Sequence, residues 1–229
     1  MKYSENLRNI KALFFDLDNT LCDVEGYFLG AFELVARYLS LNYGIPRKRV
    51  FLLLKKIWME KTSMYPFLFN DLLNYFGIQK KDTLRKVVAL FNDYRGDGIK
   101  LYPDVFPMLK SLNEKGWRIG LITDGNIKRQ QRKIKLLGIN PFFDFIIYTK
   151  KLKSKPSHLP FKEAINKLGG YSPSLYYVGD NPLVDFAGAK KVGIRTIRVL
   201  RGEFANFPGD EFVDFEIKNL WELLNIIGK

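Results

Sequence analysis

The chain has 229 residues, of which 47% are hydrophobic and 27% are charged. This composition is typical of a globular protein with one large domain, or with a domain and an insert. No apolar run approaches the roughly 18 residues needed to cross a bilayer, and the first six residues lack the apolar stretch of a signal peptide, so we expect a cytoplasmic protein. The single cysteine, Cys22, excludes an intramolecular disulfide and a multi-cysteine metal site.

The chain is strongly basic, with 37 Lys and Arg against 24 Asp and Glu and a net charge of +13. The densest clusters lie at residues 47–49, 128–135 and 150–155. Each adjoins a helical or turn pattern, which favours solvated helix faces over a nucleic-acid surface. We therefore expect no nucleic-acid partner, although some of this charge can attract phosphorylated substrates.

The first informative feature is a short apolar segment, residues 11–15, that ends in two carboxylates. The segment predicts a central strand covered on both faces. Asp16 and Asp18 follow it one residue apart, so both side chains should leave the strand on one side. Two close carboxylates repel unless a cation lies between them or one keeps its proton. The pair predicts a nucleophile and a general acid beside a hard divalent cation; the alternative is a turn in which Asp18 and Asn19 cap the next segment.

The next part of the chain is predicted to be helical throughout. Apolar residues recur at helical spacing, with turn signals between them, over residues 25–43, 47–60, 66–76 and 82–94. No strand pattern interrupts these helices, and Gly96 and Gly98 provide a hinge within residues 95–98. We therefore expect a helical insert at residues 23–96 and a core formed by residues 1–22 and 97–229.

After Gly98 the pattern alternates between helix and strand. The predicted strands are residues 117–122, 145–148, 175–178, 195–199 and 212–215; the predicted helices are residues 104–115, 126–137, 158–168, 183–191 and 218–227. Asp104 is expected to cap the first of these helices. Such alternation predicts parallel strands joined by right-handed crossovers. The predicted fold class is α/β, a doubly wound, Rossmann-like parallel sheet with a helical cap.

Further polar groups follow the ends of the predicted strands. The Thr123–Asp124 pair opens a helix with a hydroxyl and free amides, which suits an anion, Lys155 follows a basic turn, and Asp180 and Asp185 form a second acidic pair. Singly, these residues could be a turn hydroxyl, a surface charge and a cap. Ligands of open α/β sheets bind beyond the carboxyl ends of the strands, so together these residues predict an anion site, a cation and a metal pair at one sheet edge.

In this combination and order, the motifs resemble those of the haloacid dehalogenase superfamily of aspartate-nucleophile phosphatases. Residues 16–20 (DLDNT) resemble its first motif, Thr123 its second, Lys155–Pro156 its third and residues 179–185 its fourth. The motifs cover the chain outside the insert, and the insert is similar to the family's C1 cap. The set is specific, although Asp-x-Asp alone is not.

The resemblance implies roles for individual residues. Asp16 would be the nucleophile and Asp18 the general acid and base, while Thr123 and Lys155 would hold the phosphoryl oxygens, with Asp124 part of the same phosphate-binding loop. It also implies Mg²⁺ as the cofactor. The implied ligands are Asp16, the main-chain carbonyl of Asp18, and Asp180, with Asp185 behind them.

Several functions remain compatible with these motifs. The favoured function is a Mg²⁺-dependent phosphatase acting on a small phosphorylated metabolite through an aspartyl-phosphate. A phosphomutase would use the same residues. A 2-haloacid dehalogenase needs no proton donor, so Asp18 argues against it, and a catalytically inactive nucleic-acid binder would not need the full set. The single histidine, His158, is expected in the first turn of a helix, although a substrate contact is possible.

Overall fold

The structure is a computed structural model that describes residues 10–96 and 98–228. The first six residues, where no signal peptide is expected, and Asp97 of the predicted hinge lie outside this range. The described chain divides into two compact units, one of which is Val24–Ile99 and the other the remaining described residues. Among the residues described, no helix has the length and apolar character that crossing a bilayer requires.

A six-stranded sheet forms the centre of the larger unit. Its strands are β1 (Lys11–Phe15), β4 (Arg118–Thr123), β5 (Phe145–Tyr148), β6 (Ser174–Gly179), β7 (Arg195–Val199) and β8 (Phe215–Ile217). Their order across the sheet is β5-β4-β1-β6-β7-β8, and all neighbouring strands are parallel. Residues 12–15 of β1 are fully buried, as expected for a strand covered on both faces. The predicted doubly wound α/β fold is confirmed.

The order of the strands in the sheet determines where the polar residues at the strand ends come together. β1 lies in the middle of the sheet, between β4 and β6, and all three run in the same direction. The carboxyl ends of these strands therefore meet at one edge. The loops that follow β1, β4 and β6 carry the polar residues singled out in the sequence.

Helices lie between the strands of this unit along the chain: α5 (Val105–Glu114), α6 (Ile127–Leu137), α7 (Leu159–Lys167) and α8 (Phe186–Lys191); α9 (Leu223–Ile227) follows the last strand. A short antiparallel pair, β2 (Cys22–Asp23) with β3 (Lys100–Leu101), was not predicted, because two-residue strands leave no periodic pattern. One apolar cluster, which includes Phe14, Phe161 and Phe186, joins the sheet to the helices that cover it.

Several predicted boundaries were wrong. The helix predicted from residue 183 begins at Phe186, because the preceding residues form a turn in which the Asn181 side chain accepts from the Leu183 N–H. The last strand is Phe215–Ile217 rather than residues 212–215. The Asp104 side chain does not cap α5; its carboxylate accepts hydrogen bonds from Arg201 instead.

The Val24–Ile99 unit contains four helices among its described residues: α1 (Glu25–Tyr43), α2 (Arg47–Lys61), α3 (Leu68–Tyr75) and α4 (Lys81–Asn92). The rings of Phe28 and Phe32 both stack on Phe91 and meet Trp58 edge-on. Aromatic packing of this kind explains why the Phe-rich sequence forms a core of its own.

Candidate active site

Asp16 is the first residue after β1 and lies at the carboxyl edge of the sheet. Its side chain is almost fully buried, and Oδ1 accepts a hydrogen bond from Lys155 Nζ at 2.6 Å. Burial raises the pKa of Asp16 to about 8; Lys155 opposes the shift, while Asp185 and Asp18 add to it. A further cation next to Asp16 would favour its ionised form.

Lys155 connects Asp16 with the loop after β6. Its Nζ donates to Asp185 Oδ1 at 2.6 Å and to the Tyr177 hydroxyl oxygen at 3.0 Å, and the Tyr177 hydroxyl donates to Asp185 at 2.8 Å. Burial alone would lower the pKa of the Lys155 ammonium, but Asp16 and Asp185 raise it well above its ordinary value. Lys155 is thus a fixed buried cation beside Asp16.

The loop after β6 brings the second acidic pair to the same edge. Asp180 Oδ1 accepts from the Thr20 hydroxyl at 3.1 Å, and Asp185 Oδ2 accepts from the Asn181 N–H at 2.9 Å. A Cβ at Gly179 would lie 2.5 Å from Asp185 Oδ2, so a side chain at that position would displace the carboxylate. Asp185 is therefore held by the loop and Lys155, whereas Asp180 is held by the loop after β1.

The oxygen ligands that the resemblance implies at this edge fit a hard divalent cation. No group of three or more His, Cys, Asp or Glu side chains forms a metal cluster within the described residues, but the set implied by the resemblance contains only two side chains, Asp16 and Asp180, and one main-chain carbonyl. Burial, then Asp185 and Asp16, raise the pKa of Asp180 well above its ordinary value. Two buried carboxylates with raised pKa values favour a cation with an oxygen-ligand preference, as Mg²⁺ has.

Thr123 ends β4 and is buried at the same edge. Its Oγ1 accepts a hydrogen bond from Gln130 Nε2 at 2.7 Å. The next residue, Asp124, accepts from the Thr149 hydroxyl and, at 3.3 Å, from the Lys155 N–H. The side chain of Asp124 therefore ties the loop after β4 to the segment that carries Lys155.

Asp18 contacts residues of helix α6. Both of its carboxylate oxygens accept from Lys133 Nζ, at 2.8 and 2.7 Å, and Oδ2 also accepts from Gln130 Nε2 at 3.2 Å. Lys133 is fully buried. For this residue the interpretation of the basic cluster at 128–135 as a solvated helix face was wrong.

Sequence reasoning missed three residues of this site: Gln130, Lys133 and Tyr177. Tyr177 lies within an apolar strand and looks like a core residue. Gln130 could have been found, because it lies four residues before the apolar Ile134 on the buried face of α6. His158 directly precedes α7 and its side chain is partly exposed.

The fold and the site together define a class of protein: an α/β enzyme with a buried aspartate, a buried lysine and a pair of acidic loops at the carboxyl edge of a parallel sheet. The particular family follows from comparison with known proteins. The model of the haloacid dehalogenase-like hydrolase family matches residues 13–199. The chain belongs to this family, and the predicted hydrolase is confirmed.

Similar proteins include several archaeal and bacterial enzymes. The chain is 30% identical to a glyceraldehyde 3-phosphate phosphatase of Methanocaldococcus jannaschii, over 95% of this chain and 97% of the relative. It is 29% identical to a putative pyrophosphatase PpaX of Clostridium perfringens, over 96% and 98%. The crystal structure of a HAD phosphatase from Thermococcus onnurineus superposes with a TM-score of 0.69 at 27% identity, covering 96% of this chain and 98% of that one.

Proposed function

We propose that this protein is a Mg²⁺-dependent phosphatase that hydrolyses a small phosphorylated metabolite through an aspartyl-phosphate on Asp16. The observation that carries the proposal is the chain of hydrogen bonds from Asp18 Oδ2 through Gln130 Nε2 to Thr123 Oγ1, 3.2 and 2.7 Å long. It joins a carboxyl group able to transfer a proton to a hydroxyl able to bind a phosphoryl oxygen. Both lie at the edge where Asp16 leaves β1.

In the first step, a carboxylate oxygen of Asp16 attacks phosphorus and the ester P–O bond breaks. The leaving alkoxide takes a proton from the carboxyl group of Asp18. A covalent intermediate divides one difficult hydrolysis into two easier displacements. Lys155 and Thr123 donate hydrogen bonds to the phosphoryl oxygens, through the ammonium group of Lys155 and the hydroxyl group of Thr123.

In the second step, a water molecule attacks the phosphorus of the acyl phosphate, and the bond to Asp16 breaks. Asp18, now a carboxylate, takes a proton from this water. Inorganic phosphate leaves, and both aspartates return to their starting states. A single residue thus serves as acid and then as base.

Mg²⁺ would be held by Asp16, Asp180 and the main-chain carbonyl of Asp18. When bound, it would reduce the repulsion between anionic groups and stabilise charge in the transition state. The buried pair fits this role, because burial raises the pKa of Asp16 to about 8 and that of Asp180 well above its ordinary value. Asp185 does not need to contact the metal, since its carboxylate holds Lys155 and the Asn181 N–H.

The names of the relatives support a small substrate. The Methanocaldococcus relative is named for glyceraldehyde 3-phosphate and the Clostridium relative for pyrophosphate. Both substrates are small, soluble and doubly charged or more at neutral pH. We propose a triose phosphate or a similar small ester as the substrate, a helical cap at residues 23–96 as the element that selects it, and the cytoplasm as the location.

Each alternative differs from a phosphatase in one reactant. A dehalogenase acts on an organic halide instead of a phosphate ester, and a phosphomutase uses a second sugar phosphate instead of water. A dehalogenase releases halide, which needs no proton, so a held Asp18 would have no purpose there. A phosphomutase would transfer the phosphoryl group from Asp16 to a second sugar phosphate. It would therefore release little inorganic phosphate.

The test is a screen of phosphorylated metabolites with purified protein and Mg²⁺, with inorganic phosphate as the product measured. We expect release of phosphate from three-carbon esters above that from other classes. Isomerised sugar phosphate without free phosphate would instead identify a mutase. Release of halide from 2-haloacids, with no phosphate from any ester, would overturn the proposal.

A further inference from the structure

Helix α6 presents two polar side chains to the catalytic edge of the sheet. Gln130 and Lys133 lie three residues apart, which places them on one face of the helix. Lys133 Nζ donates to both carboxylate oxygens of Asp18, at 2.8 and 2.7 Å. Gln130 Nε2 donates to Oδ2 of the same carboxylate at 3.2 Å. The carboxylate of Asp18 is therefore held at both oxygens.

The burial of Lys133 is the unusual feature. Its side chain is 0% exposed, whereas the side chain of Asp18 remains 29% exposed. Burying an ammonium is unfavourable unless it is paired and hydrogen-bonded. A lysine that served only solubility would extend into water, as the nearby Lys135 does. The placement of Lys133 instead holds both oxygens of the Asp18 carboxylate, while part of the Asp18 side chain remains accessible.

Gln130 links Asp18 to the residue proposed to bind phosphate. The same Nε2 atom that contacts Asp18 donates to Thr123 Oγ1 at 2.7 Å. Because the Thr123 oxygen accepts this hydrogen bond, the hydroxyl's own proton is left to be donated elsewhere. A phosphoryl oxygen is a suitable acceptor. Gln130 thereby sets the direction of the Thr123 hydroxyl while holding Asp18.

We propose that Gln130 and Lys133 are positioning residues that hold the Asp18 carboxyl group and the Thr123 hydroxyl in the orientation needed for proton transfer and phosphate binding. This inference rests on the proposed phosphatase function. Neither residue is assigned a contact with the substrate. Gln130 and Lys133 would act through Asp18 and Thr123. The loss of activity when they are replaced should therefore depend on whether the leaving group needs a proton.

The experiment compares two esters that differ in that need. An alkyl phosphate such as glycerol 1-phosphate releases an alkoxide, which must be protonated as it leaves. 4-Nitrophenyl phosphate releases a stabilised anion that needs no proton. Since kcat/KM covers the steps up to transfer of the phosphoryl group to Asp16, the ratio of the two kcat/KM values isolates the function of Asp18 as an acid.

For Lys133→Met we expect kcat/KM on the alkyl ester to fall at least about tenfold more than on the aryl ester. The matched control is Lys135→Met, which removes the same charge from an exposed position of α6 and should leave the ratio unchanged. In the Asp18→Asn background, Lys133→Met should not change the ratio further. A persistent effect there, or an equal loss on both esters in the single variant, would show a structural role and overturn the inference.

Gln130→Met provides a second measurement that does not remove a buried charge. We expect it to shift the same ratio about threefold and to weaken binding of inorganic phosphate, measured by calorimetry without turnover, by a similar factor. If Lys133→Met does not fold, an unchanged ratio and unchanged phosphate binding in Gln130→Met overturn the inference. If the wild type is active and the variants show these contradicting results, only the inference about Gln130 and Lys133 is refuted. If the wild type is inactive on both esters, the phosphatase proposal is refuted, and the inference with it.

Discussion

The ammonium nitrogen of Lys155 lies 2.6 Å from Oδ1 of Asp16, inside a site where both side chains are buried. The same nitrogen also donates to Oδ1 of Asp185 at 2.6 Å. In the proposed reaction, Lys155 would donate to the phosphoryl oxygens while it keeps Asp185 as a partner. Asp16 would then leave its ion pair with Lys155 and attack phosphorus.

Asp16→Asn should abolish turnover and leave the fold intact. An amide has the shape of the carboxylate, but it cannot form the acyl phosphate. We expect less than a few per cent of the wild-type kcat/KM on any ester. Steady-state kinetics give the rate, and circular dichroism confirms that the variant is folded. A folded variant with substantial activity would refute the role of Asp16 as the nucleophile.

Asp18→Asn should separate the two half-reactions on 4-nitrophenyl phosphate. The first step needs no proton on this ester, whereas the second step needs a base. We expect a rapid burst of about one 4-nitrophenolate per active site, followed by a steady state slower by about 10²-fold or more. Stopped-flow absorbance measures both phases. A steady-state rate equal to that of the wild type would show that another group activates the water.

Removal of the metal should abolish activity reversibly. We expect EDTA to stop turnover and Mg²⁺ to restore it, because a site of oxygen ligands without His or Cys favours a hard cation. Asp180→Ala should raise the Mg²⁺ concentration needed for half-maximal activity by at least about tenfold. Mg²⁺ should also raise the melting temperature of the wild type, and much less that of the variant. A rate that does not depend on metal would favour dehalogenase chemistry.

The parts of the fold that the sequence predicted correctly are those with a clear period and a clear stop. The bounds 25–43, 145–148 and 195–199 match the structure. The helix ending at Tyr43 illustrates the reason, since Gly44 follows it with φ 67° in the left-handed region that glycine favours. The last strand was predicted to begin three residues early, because its position is set by pairing of Phe215 with Ile197 rather than by local pattern.

The residues of the candidate site also divide into those that the sequence predicted and those that it did not. The residues at strand ends could be predicted, because a parallel sheet brings the ends of its strands together. Lys133 and Tyr177 could not, since their roles depend on which side chain lies opposite them. A lysine is normally exposed, and only the position of α6 beside Asp18 explains its burial. The resemblance to the haloacid dehalogenase superfamily assigned roles to the motif residues but not to Lys133 or Tyr177.

The pH dependence of stability can be tested at Asp214, far along the chain from the motifs. Its carboxylate accepts from Lys190 Nζ at 2.6 Å and from the Thr196 N–H at 2.8 Å. Burial raises the pKa of Asp214, but these bonds outweigh it and lower the pKa below its ordinary value of 3.8. A lowered pKa contributes stability above pH 3.8, and that contribution is lost as the pH falls through the lowered pKa.

Asp214→Asn should therefore lower the free energy of unfolding at pH 7 and have a smaller effect towards pH 3. Because the pair lies near the surface, we expect no more than about 1 kcal/mol at pH 7. Urea unfolding at several pH values measures the difference, and Glu211→Gln, an exposed neighbour, is the control. A difference independent of pH would mean that the ionised carboxylate is not responsible.

We propose that residues 23–96 form a closing cap. They follow the nucleophile strand in the sequence, which predicts hinges near Asp23 and at residues 96–98. A cap that closes would exclude water and complete the site around a small substrate.

With the cap intact, we expect kcat/KM for three- to six-carbon phosphates to exceed that for phosphopeptides at least about tenfold, or roughly 1.4 kcal/mol in transition-state binding. Replacement of residues 23–96 by a short Gly-Ser linker should narrow this difference by admitting larger substrates, with some loss of rate on small ones. Because the linker variant could lose activity through misfolding, its circular dichroism and its rate on 4-nitrophenyl phosphate are measured in parallel. Equal efficiency on a phosphopeptide and a triose phosphate in the intact protein would show that residues 23–96 do not select substrates by closing.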